Sequence, residues 1–568
     1  MPITIGKKKI KGRLYYYARE CKRVDGKPRI VWQKYLGKAD RIVEAIDGLS
    51  RPPTPAEVVV SEFGAVAALF DVASRLRLVQ TVDAHVRKRE QGLSVGHYML
   101  VAAINRCVCP TSKAKIGDWF ESTPLRRLAP AKKSQLSSKR FWDNMGHLDA
   151  QAIRDIERDL TERIVTEFGV DTRCLLFDAT NFFTFIDSFN DAPTLAQRGN
   201  SKEKRNNLRI VGLALLVSVD FHIPLFHDTY PGNRNDTKEF EAITDRLIER
   251  HQVLAKSVDD ITLVFDKGNN SADNIAALDE GPYHFVGSLK LNQCPDLLEV
   301  PLEKYEPLLH PKLYGVRAHR VTREALGRER TVIITYNEQL FLTQTQSLLA
   351  EVRKRCRNLN AFGRQLCRRQ VGEVTKGRKP TVESVRKRAQ ALLKGQYVAD
   401  VIELEVVESD GVPDLRYRVD HDALQRIFDE RFGKTVLFTD NDSWSDVEVV
   451  LAYRGQAGIE GCFKTMKNPH FVSWSPMFHW TDDKIRVHAF YCVVALMLVS
   501  LLQRELHHAG IDLTIPALVE ALSAIREVAI TYASKGRARE PQLTLSKLTD
   551  EQKRLFDTLR LDRYLEVR

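Results

Sequence analysis

Three acidic residues stand where their carboxylates could hold a divalent metal ion. Asp178 ends the apolar run Cys174–Phe177, and Asp266 ends the apolar run Ile261–Phe265. A charge at the end of a buried strand loses solvation unless a partner replaces the water, and a divalent cation can be that partner. A third acid, Glu460, follows in a stretch rich in polar and basic side chains. Such a trio could hold Mg²⁺ ions roughly 4 Å apart and support an in-line displacement at phosphorus.

Glu460 belongs to a polar stripe. Because seven residues of a helix advance about 700°, close to two full turns, Tyr453, Glu460 and Lys467 share one face, flanked by Gln456 and Lys464. Hydroxyl, amide and ammonium groups are unsuited to a core face, but they could hold phosphates on either side of a scissile bond. The alternative is an exposed helix with an ordinary Glu460–Lys464 pair. An isolated strand-end aspartate is likewise more often a turn former than a ligand.

The net charge of +12 is concentrated in two regions of the chain. Residues 1–48 carry 13 Lys/Arg against 5 Asp/Glu, a net of +8, and residues 351–394 form a second basic block. Concentrated positive charge is typical of proteins that bind polyphosphates, because neutralising phosphates releases counterions. A solvated helix face is the alternative for either block alone.

The cysteines and apolar runs narrow the class of protein. At 568 residues with 43% hydrophobic content, the chain can bury several cores. Its nine cysteines include no C-x-x-C pair, so we expect neither a zinc site nor a disulfide framework. No apolar segment follows the lysines at 7–9, which argues against a signal peptide. The run 487–502 is short for a membrane span and is predicted to be a buried helix.

Alternating patterns predict the elements that position the acids. Residues 12–37 alternate around a turn at 24–27 and predict a basic β-hairpin, and the proline run at 51–55 marks a boundary. Helical periodicity dominates from 60 to 165. The strand candidates of the next region are 173–183, 208–219, 222–230 and 261–266, with a helix at 237–254 before the last strand. This order is typical of a ribonuclease-H-like mixed sheet, in which the first and fourth strands are neighbours.

The 193 residues between Asp266 and Glu460 are too many for a connection and predict an inserted unit. Strand patterns occur there at 316–321, 330–336, 400–407, 415–419 and 435–439. The expected fold is α/β: a ribonuclease-H-like mixed-sheet core interrupted by a large α+β insertion, with a basic β-hairpin and a helical N-terminal domain. The expected domains are a hairpin region (1–50), a helical DNA-binding domain (51–170), the first part of the core (171–300), the insertion (301–445), the second part of the core (446–510) and a C-terminal helical region (511–568).

Three further residues are expected to be structural. His488, at the start of the apolar helix, is predicted to be a hydrogen-bonded histidine near the core. Trp474 and Trp480 are expected to pack under the polar helix, although an aromatic side chain there could stack on an unpaired base.

The spaced residues resemble a known signature. Tyr453, Gln456, Glu460 and Lys467 resemble the Y-(2)-R-(3)-E-(6)-K signature of DDE insertion-sequence transposases, in the large branch with a β-rich insertion before the glutamate. Gln456 occupies the arginine position of this signature, and Arg454 lies two residues earlier, about 160° round the helix.

The two aspartates extend this resemblance. Asp178 in Phe-Asp-Ala-Thr-Asn and Asp266 in Val-Phe-Asp-Lys-Gly match the family's first and second aspartates, and the likeness spans about residues 170–505. It implies a transposase that binds the ends of its element and catalyses metal-dependent strand cleavage and strand transfer. Mg²⁺, for which Mn²⁺ may substitute, would be held by Asp178, Asp266 and Glu460.

The resemblance also implies partners. These are double-stranded DNA, as element terminal inverted repeats and as target, and a second copy of the chain in a synaptic dimer. We expect no membrane association and a cytoplasmic, nucleoid-associated location of bacterial or archaeal type. The residues expected to contact DNA are Tyr453, Arg454, Gln456, Lys464, Lys467, Lys202, Arg205 and Arg209. A standalone metal-dependent endonuclease and a catalytically inactive DNA-binding protein are the alternatives.

Overall fold

The structure is a computed structural model with two compact units. It describes residues 3–24, 26–50, 55–87, 92–187, 190, 192–199, 207–234, 236–256, 258, 260–409, 412–532 and 541–565. The first unit comprises Met1–Ala65, Ser122–Pro124 and Ala521–Arg568, and the second comprises Val66–Glu121 and Leu125–Glu520.

Strands and helices alternate along most of the chain. The strands are β1 (Thr4–Ile10), β2 (Arg13–Val24), β3 (Lys27–Gly37), β4 (Pro55–Glu62), β5 (Cys174–Thr184), β6 (Arg209–Ser218), β7 (Pro224–Pro231), β8 (Thr262–Phe265), β9 (His284–Leu289), β10 (Glu306–Pro307), β11 (Val316–Ala325), β12 (Arg328–Asn337), β13 (Ile402–Ser409), β14 (Val412–Val419), β15 (Lys434–Thr439), β16 (Arg526–Tyr532) and β17 (Gln542–Leu545). The helices are α1 (Ala39–Ser50), α2 (Gly64–Arg75), α3 (Leu78–Ala84), α4 (Val95–Val108), α5 (Ile116–Glu121), α6 (Leu125–Leu128), α7 (Ser138–Met145), α8 (Ala150–Thr166), α9 (Asp236–Leu254), α10 (Ala272–Asp279), α11 (Pro295–Leu298), α12 (Glu338–Gln370), α13 (Val382–Leu392), α14 (Val398–Val401), α15 (His421–Arg431), α16 (Asp446–Lys467), α17 (Asp482–His508), α18 (Ile515–Ser523) and α19 (Asp550–Thr558).

The first unit contains two small antiparallel sheets. The expected hairpin is present as β2 and β3, and β1 adds a third strand on the far side of β2. The second sheet has the order β17-β16-β4, in which Val528 pairs with Val60. The C-terminal region is therefore not purely helical, and the domain predicted as helical from residue 51 begins with a strand. The partner of β4 lies far away in sequence, whereas β16 and β17 are neighbours in the chain, and none of the three was predicted.

The second unit is built on a nine-stranded mixed sheet with the order β10-β11-β12-β15-β9-β8-β5-β6-β7. β5, β8 and β9 run parallel to one another, and the other pairs are antiparallel. Every residue of β6 and β8 is buried, as expected for strands covered on both faces. The predicted large mixed sheet is confirmed, including the neighbouring first and fourth strands of the predicted set, β5 and β8.

The inserted unit is narrower than the predicted 301–445. β12 pairs with β15, and β15 pairs with β9, so the outer strands of that segment extend the core sheet. The chain leaves the sheet after β12 and returns at β15, which leaves residues 338–433 as the insertion. This insertion has its own apolar cluster, which includes Leu359, Phe362, Val385 and Ile427. Periodicity identified the strands correctly but does not specify which sheet a strand joins.

Two long helices complete the second unit. α16 begins at a capping box in which Ser445 accepts a hydrogen bond from the Glu448 backbone and the Glu448 side chain accepts one from Ser445. Among the described residues, α17 is the one helix long and apolar enough to cross a membrane by length and composition. Its apolar window is 94% buried within the protein, in agreement with the predicted buried helix.

Candidate active site

The two aspartates lie on adjacent parallel strands, Asp178 within β5 and Asp266 directly after the last residue of β8. Phe177 of β5 pairs with Phe265 of β8, and each is followed directly by an aspartate, Asp178 or Asp266. Both aspartates are half-buried, and the Asp178 Oδ1 atom accepts a hydrogen bond from the Ala179 backbone at 2.7 Å. Because adjacent strands lie about 4.8 Å apart, the register places these two carboxylates side by side at the point where β8 ends.

Helix α16 is fastened to the same strand by contacts on both sides of Glu460. The Gln456 Nε2 atom donates to the Phe177 carbonyl oxygen at 2.8 Å. Further along the helix, the Lys467 Nζ atom donates to Thr180 Oγ1 at 3.3 Å. Glu460 lies between these two contacts, so the helix holds it over the stretch of β5 that contains Asp178.

Small residues allow this close approach. A Cβ atom at Gly458 would overlap the His222 imidazole, and one at Gly455 would lie 3.4 Å from the Leu176 side chain. At Gly461 an added Cβ would meet open space. Gly458 therefore leaves room for the His222 ring beside α16, whereas a Cβ atom at Gly455 would make an ordinary contact and one at Gly461 none.

Tyr453 connects the start of the stripe to the second aspartate. Its hydroxyl lies 2.7 Å from Ser288 Oγ on β9 and 3.5 Å from Asp266 Oδ1. Burial raises the pKa of Tyr453, and the nearby Asp266 charge raises it further. The phenol therefore stays protonated at neutral pH and can donate a hydrogen bond beside Asp266.

Two residues expected to contact DNA are buried parts of the fold. Gln456 is 9% exposed, and its amide is used in the contact with the strand, so it is not presented to a phosphate. Arg209 opens β6, is 6% exposed and donates to the Ala196 carbonyl at 3.2 Å. This burial could not be predicted because neither the polar stripe nor the loop position indicates which side of the residue faces the sheet. Lys202 and Arg205 lie outside the described residues.

The remaining stripe residues are accessible. Arg454 is exposed as a whole residue and donates to the Lys312 carbonyl at 2.9 Å. Partial burial of its guanidinium lowers the pKa of Arg454, although the group stays cationic. Lys464 and Lys467 are exposed. Glu460 is also exposed and makes no hydrogen bond or ion pair with a residue in the described ranges, including Lys464. The alternative of an ordinary Glu460–Lys464 pair is therefore absent.

The three acids do not form a closed metal site. Within the described parts of the chain, no three Asp, Glu, His or Cys side chains are grouped so that they could hold a metal ion. The structure brings Asp178 and Asp266 together, and it places Glu460 on the helix that crosses them without closing the set. The chemistry of the donors fits a hard divalent cation, because Mg²⁺ prefers carboxylate oxygens.

A cleft opens beside Asp266. It has a volume of about 670 Å³ and lies between the ends of β9 and β15 on one side and the inserted unit on the other. Its walls include Lys267, Ser288, Lys290 and Tyr453 from the core and Arg431 from the insertion. A basic cleft that adjoins the aspartates could admit a phosphodiester strand.

Three residues after α16 were expected to be structural. His488 and Trp474 are buried, as predicted, and Trp480 is not. His488 is fully buried, and its Nε2 atom lies 2.7 Å from the Trp474 carbonyl oxygen. Trp474 is buried and stacks on Phe182 with ring centroids 4.5 Å apart. Trp480, in contrast, is 50% exposed and does not pack beneath the helix. Sequence reasoning missed Ser288 because no alternating pattern had predicted β9.

The chain has similarities to a known protein family and to a solved structure. The sequence model described as the transposase DDE domain matches residues 171–498, which span both aspartates, the insertion and the polar helix. No curated protein matches the chain. Among solved structures, the chain is similar to the cryo-EM structure of the piggyBac transposase synaptic complex with hairpin DNA. That similarity has 10% sequence identity and a TM-score of 0.33, and it covers 81% of this chain and 78% of the other.

Proposed function

The chain belongs to the transposase DDE domain family, and from that premise we propose that it binds the ends of a DNA element and catalyses metal-dependent strand cleavage and strand transfer. One observation supports this proposal above all. Asp178, within β5, and Asp266, at the end of β8, each follow one residue of the pair Phe177–Phe265 on two parallel strands, and the helix that carries Glu460 is fastened to β5.

Asp178, Asp266 and Glu460 are the proposed ligands for Mg²⁺, with Mn²⁺ as a substitute. When bound, such ions supply an activated nucleophilic oxygen and stabilise the leaving oxygen of a displacement at phosphorus. Glu460 has no competing partner in the described ranges, so its side chain is free to turn toward the aspartates.

The neighbouring side chains orient the DNA strand. Lys464 and Lys467 are exposed cations on the same helix and would hold phosphates that flank the scissile bond. Tyr453 donates toward Asp266 and orients that carboxylate. Arg454 lies on another side of the helix, and its contact with Lys312 ties α16 to the sheet edge instead.

Element ends would be recognised by the basic first unit. Residues 1–48 carry the net charge of +8, and the lysines of β1 are exposed. A β-sheet can enter a DNA groove, where its cations contact phosphates and its other polar side chains reach base edges. Pairing of two ends would require a second copy of the chain, which we include in the proposal as a synaptic homodimer.

The test uses DNA that carries the terminal repeats flanking the coding sequence, together with a supercoiled target. Wild-type protein with Mg²⁺ or Mn²⁺ should nick at the repeat ends and yield joined products. Asp266→Asn should abolish both products, whereas Asp273→Asn, which changes an exposed acid on the following helix, should leave them unchanged. Cleavage without joined products would instead identify a standalone endonuclease. Full activity in Asp266→Asn would refute the proposed site.

A further inference from the structure

A second basic site lies in the inserted unit, apart from the acids. A cleft of about 590 Å³ opens between the last turns of α12 and the first turn of α13. Apolar side chains of the insertion core, including Phe362, Leu366 and Val385, form its floor. Arg368 lies about 45 Å along α12 from the sheet, since thirty residues of helix separate it from Glu338. The cleft is therefore distinct from the one beside the aspartates.

Five cations surround this cleft. The lining contains no Asp or Glu among the described residues, and its cationic members are Arg368, Arg369, Arg378, Lys379 and Arg388. Within the described ranges, the one acid paired with this group is Glu373, whose carboxylate lies 2.8 Å from Arg368 Nε. Both partners of that pair are more than half exposed, so water screens the attraction and leaves most of the local positive charge.

The loop that carries two of these cations is held in place by a third. The Arg369 Nη2 atom donates to the Lys376 carbonyl at 2.9 Å, and its Nη1 atom lies 3.4 Å from the Arg378 carbonyl. Gly377 has a φ of +93°, a conformation in which a side chain would be strained, and it allows the loop to turn back onto α12. Arg378 and Lys379 are exposed at the rim and form no ion pair with the described residues.

The other wall is equally ordered. The Arg388 guanidinium lies 4.4 Å from the centre of the Phe362 ring, which fixes its position beside the cleft. Helix α13 points its N-terminus toward the same rim, where Thr381 and Ser384 form a capping box. The positive end of the helix dipole thus adds to the charge of the side chains.

Charge is segregated within the insertion. Residues 351–394 carry 14 Lys/Arg against 3 Asp/Glu, whereas residues 395–433 carry 4 Lys/Arg against 10 Asp/Glu. Solubility alone would be served by mixed charges on both halves. Crowding cations on one half costs stability through like-charge repulsion, and a polyanionic partner removes that cost.

We propose that this cleft binds the phosphate backbone of duplex DNA, at a site separate from the catalytic acids. The inference rests on the proposed function for its choice of polyanion. Arginine forks suit phosphate oxygens because they can donate two parallel hydrogen bonds, and the cleft presents four arginines and one lysine. The contact is independent of sequence, because backbone phosphates carry no base information.

The test measures how DNA affinity falls with salt for the full-length protein. Fluorescence anisotropy with a random-sequence duplex of about 40 base pairs gives the slope of log affinity against log salt. Arg378→Gln with Lys379→Gln should reduce the magnitude of that slope by about 2 and weaken binding roughly ten-fold or more at about 0.1 M salt, since each phosphate contact contributes about 0.9. Neither side chain has an ion pair with any residue that the structure describes, so folding should be unaffected.

The matched control removes two cations from the acidic half of the same insertion. Arg416→Gln with Arg418→Gln changes the net charge equally, and both side chains are exposed. This control should leave the slope unchanged. An unchanged slope in Arg378→Gln with Lys379→Gln, or an equal fall in the control, would overturn the inference. If the slope is unchanged while metal-dependent cleavage of terminal-repeat DNA persists, the cleft inference fails and the proposed function stands.

Discussion

Replacing Gln456 by alanine separates a structural role from a phosphate-binding role for this side chain. The structure has Gln456 9% exposed, with Nε2 at 2.8 Å from the Phe177 carbonyl oxygen. Its Oε1 atom is buried without a hydrogen-bond partner among the described residues, so the amide is held by that one contact. Gln456→Ala leaves a buried carbonyl without this donor, which should cost about 1–3 kcal/mol of unfolding free energy.

The same substitution should reduce catalysis more than binding. Without the contact, α16 can move relative to β5, and a displacement of about 1 Å between catalytic groups can cost on the order of 100-fold in rate. We expect the melting temperature to fall by a few degrees and the cleavage rate to fall roughly 10- to 100-fold. Affinity for DNA and its salt dependence should stay within about two-fold of wild type, because no phosphate contact is lost.

Two companion variants make this result interpretable. Gln456→Met keeps the side-chain volume and removes the donor, so it should reproduce the loss of activity if the hydrogen bond matters more than packing. Arg454→Gln changes an exposed neighbour on the same helix and should have a smaller effect on stability. An unchanged melting temperature for Gln456→Ala, together with a loss of DNA affinity well beyond two-fold, would refute the anchoring role and restore a phosphate contact.

Two further predictions concern stability. Gly458→Ala should destabilise the protein by about 1–3 kcal/mol, because the added Cβ atom would overlap the His222 ring. Gly461→Ala, where the added Cβ atom meets open space, should stabilise the protein by about 0.5–1 kcal/mol. Thermal melting of both variants measures these effects, and equal changes in the two variants would contradict the prediction. Burial lowers the pKa of His488 well below its usual range, so the unfolded chain takes up a proton below about pH 6.5 that the folded chain does not. Stability should therefore fall by about 2 kcal/mol from pH 7 to pH 5, and His488→Gln should weaken this dependence in melts across that range.

Local patterns predicted the elements of the candidate site well. The apolar runs before Asp178 and Asp266 lie in strands β5 and β8, and the polar stripe lies on helix α16, Asp446–Lys467. The parallel pairing of β5 with β8 could be inferred because the order of three strands, one helix and a fourth strand restricts the possible connections. These features depend on residues close together in sequence, so one chain contains enough information to identify them.

Partners distant in sequence were harder to predict. β4 pairs with β16 across more than 460 residues, and β15 returns to the core sheet only after the insertion. Periodicity shows which residues can form a strand, but register is set by packing against a partner. The predicted strands at 316–321, 330–336 and 435–439 were therefore assigned to the insertion although they belong to the core sheet. Neither β9 nor β1, whose partner β2 is its neighbour in sequence, was predicted.

The sequence pattern of the polar stripe also could not distinguish buried from exposed positions. Gln456 and Glu460 are four residues apart and differ by about 40° around the axis, so a sequence pattern places both on one face. In the structure that difference separates a buried amide from an exposed carboxylate. The DNA-contacting residues could be narrowed only once the side of α16 facing β5 was known.

The central claim is that Glu460 acts with Asp178 and Asp266 in metal-dependent DNA cleavage. The most direct measurement is the Mg²⁺- or Mn²⁺-dependent cleavage rate of Glu460→Gln on terminal-repeat DNA, beside its DNA affinity and melting temperature. We predict a rate loss of more than about 100-fold with the other two quantities unchanged, because Glu460 is exposed and has no partner in the described ranges. Cleavage at the wild-type rate by a folded, DNA-bound Glu460→Gln protein would contradict the account.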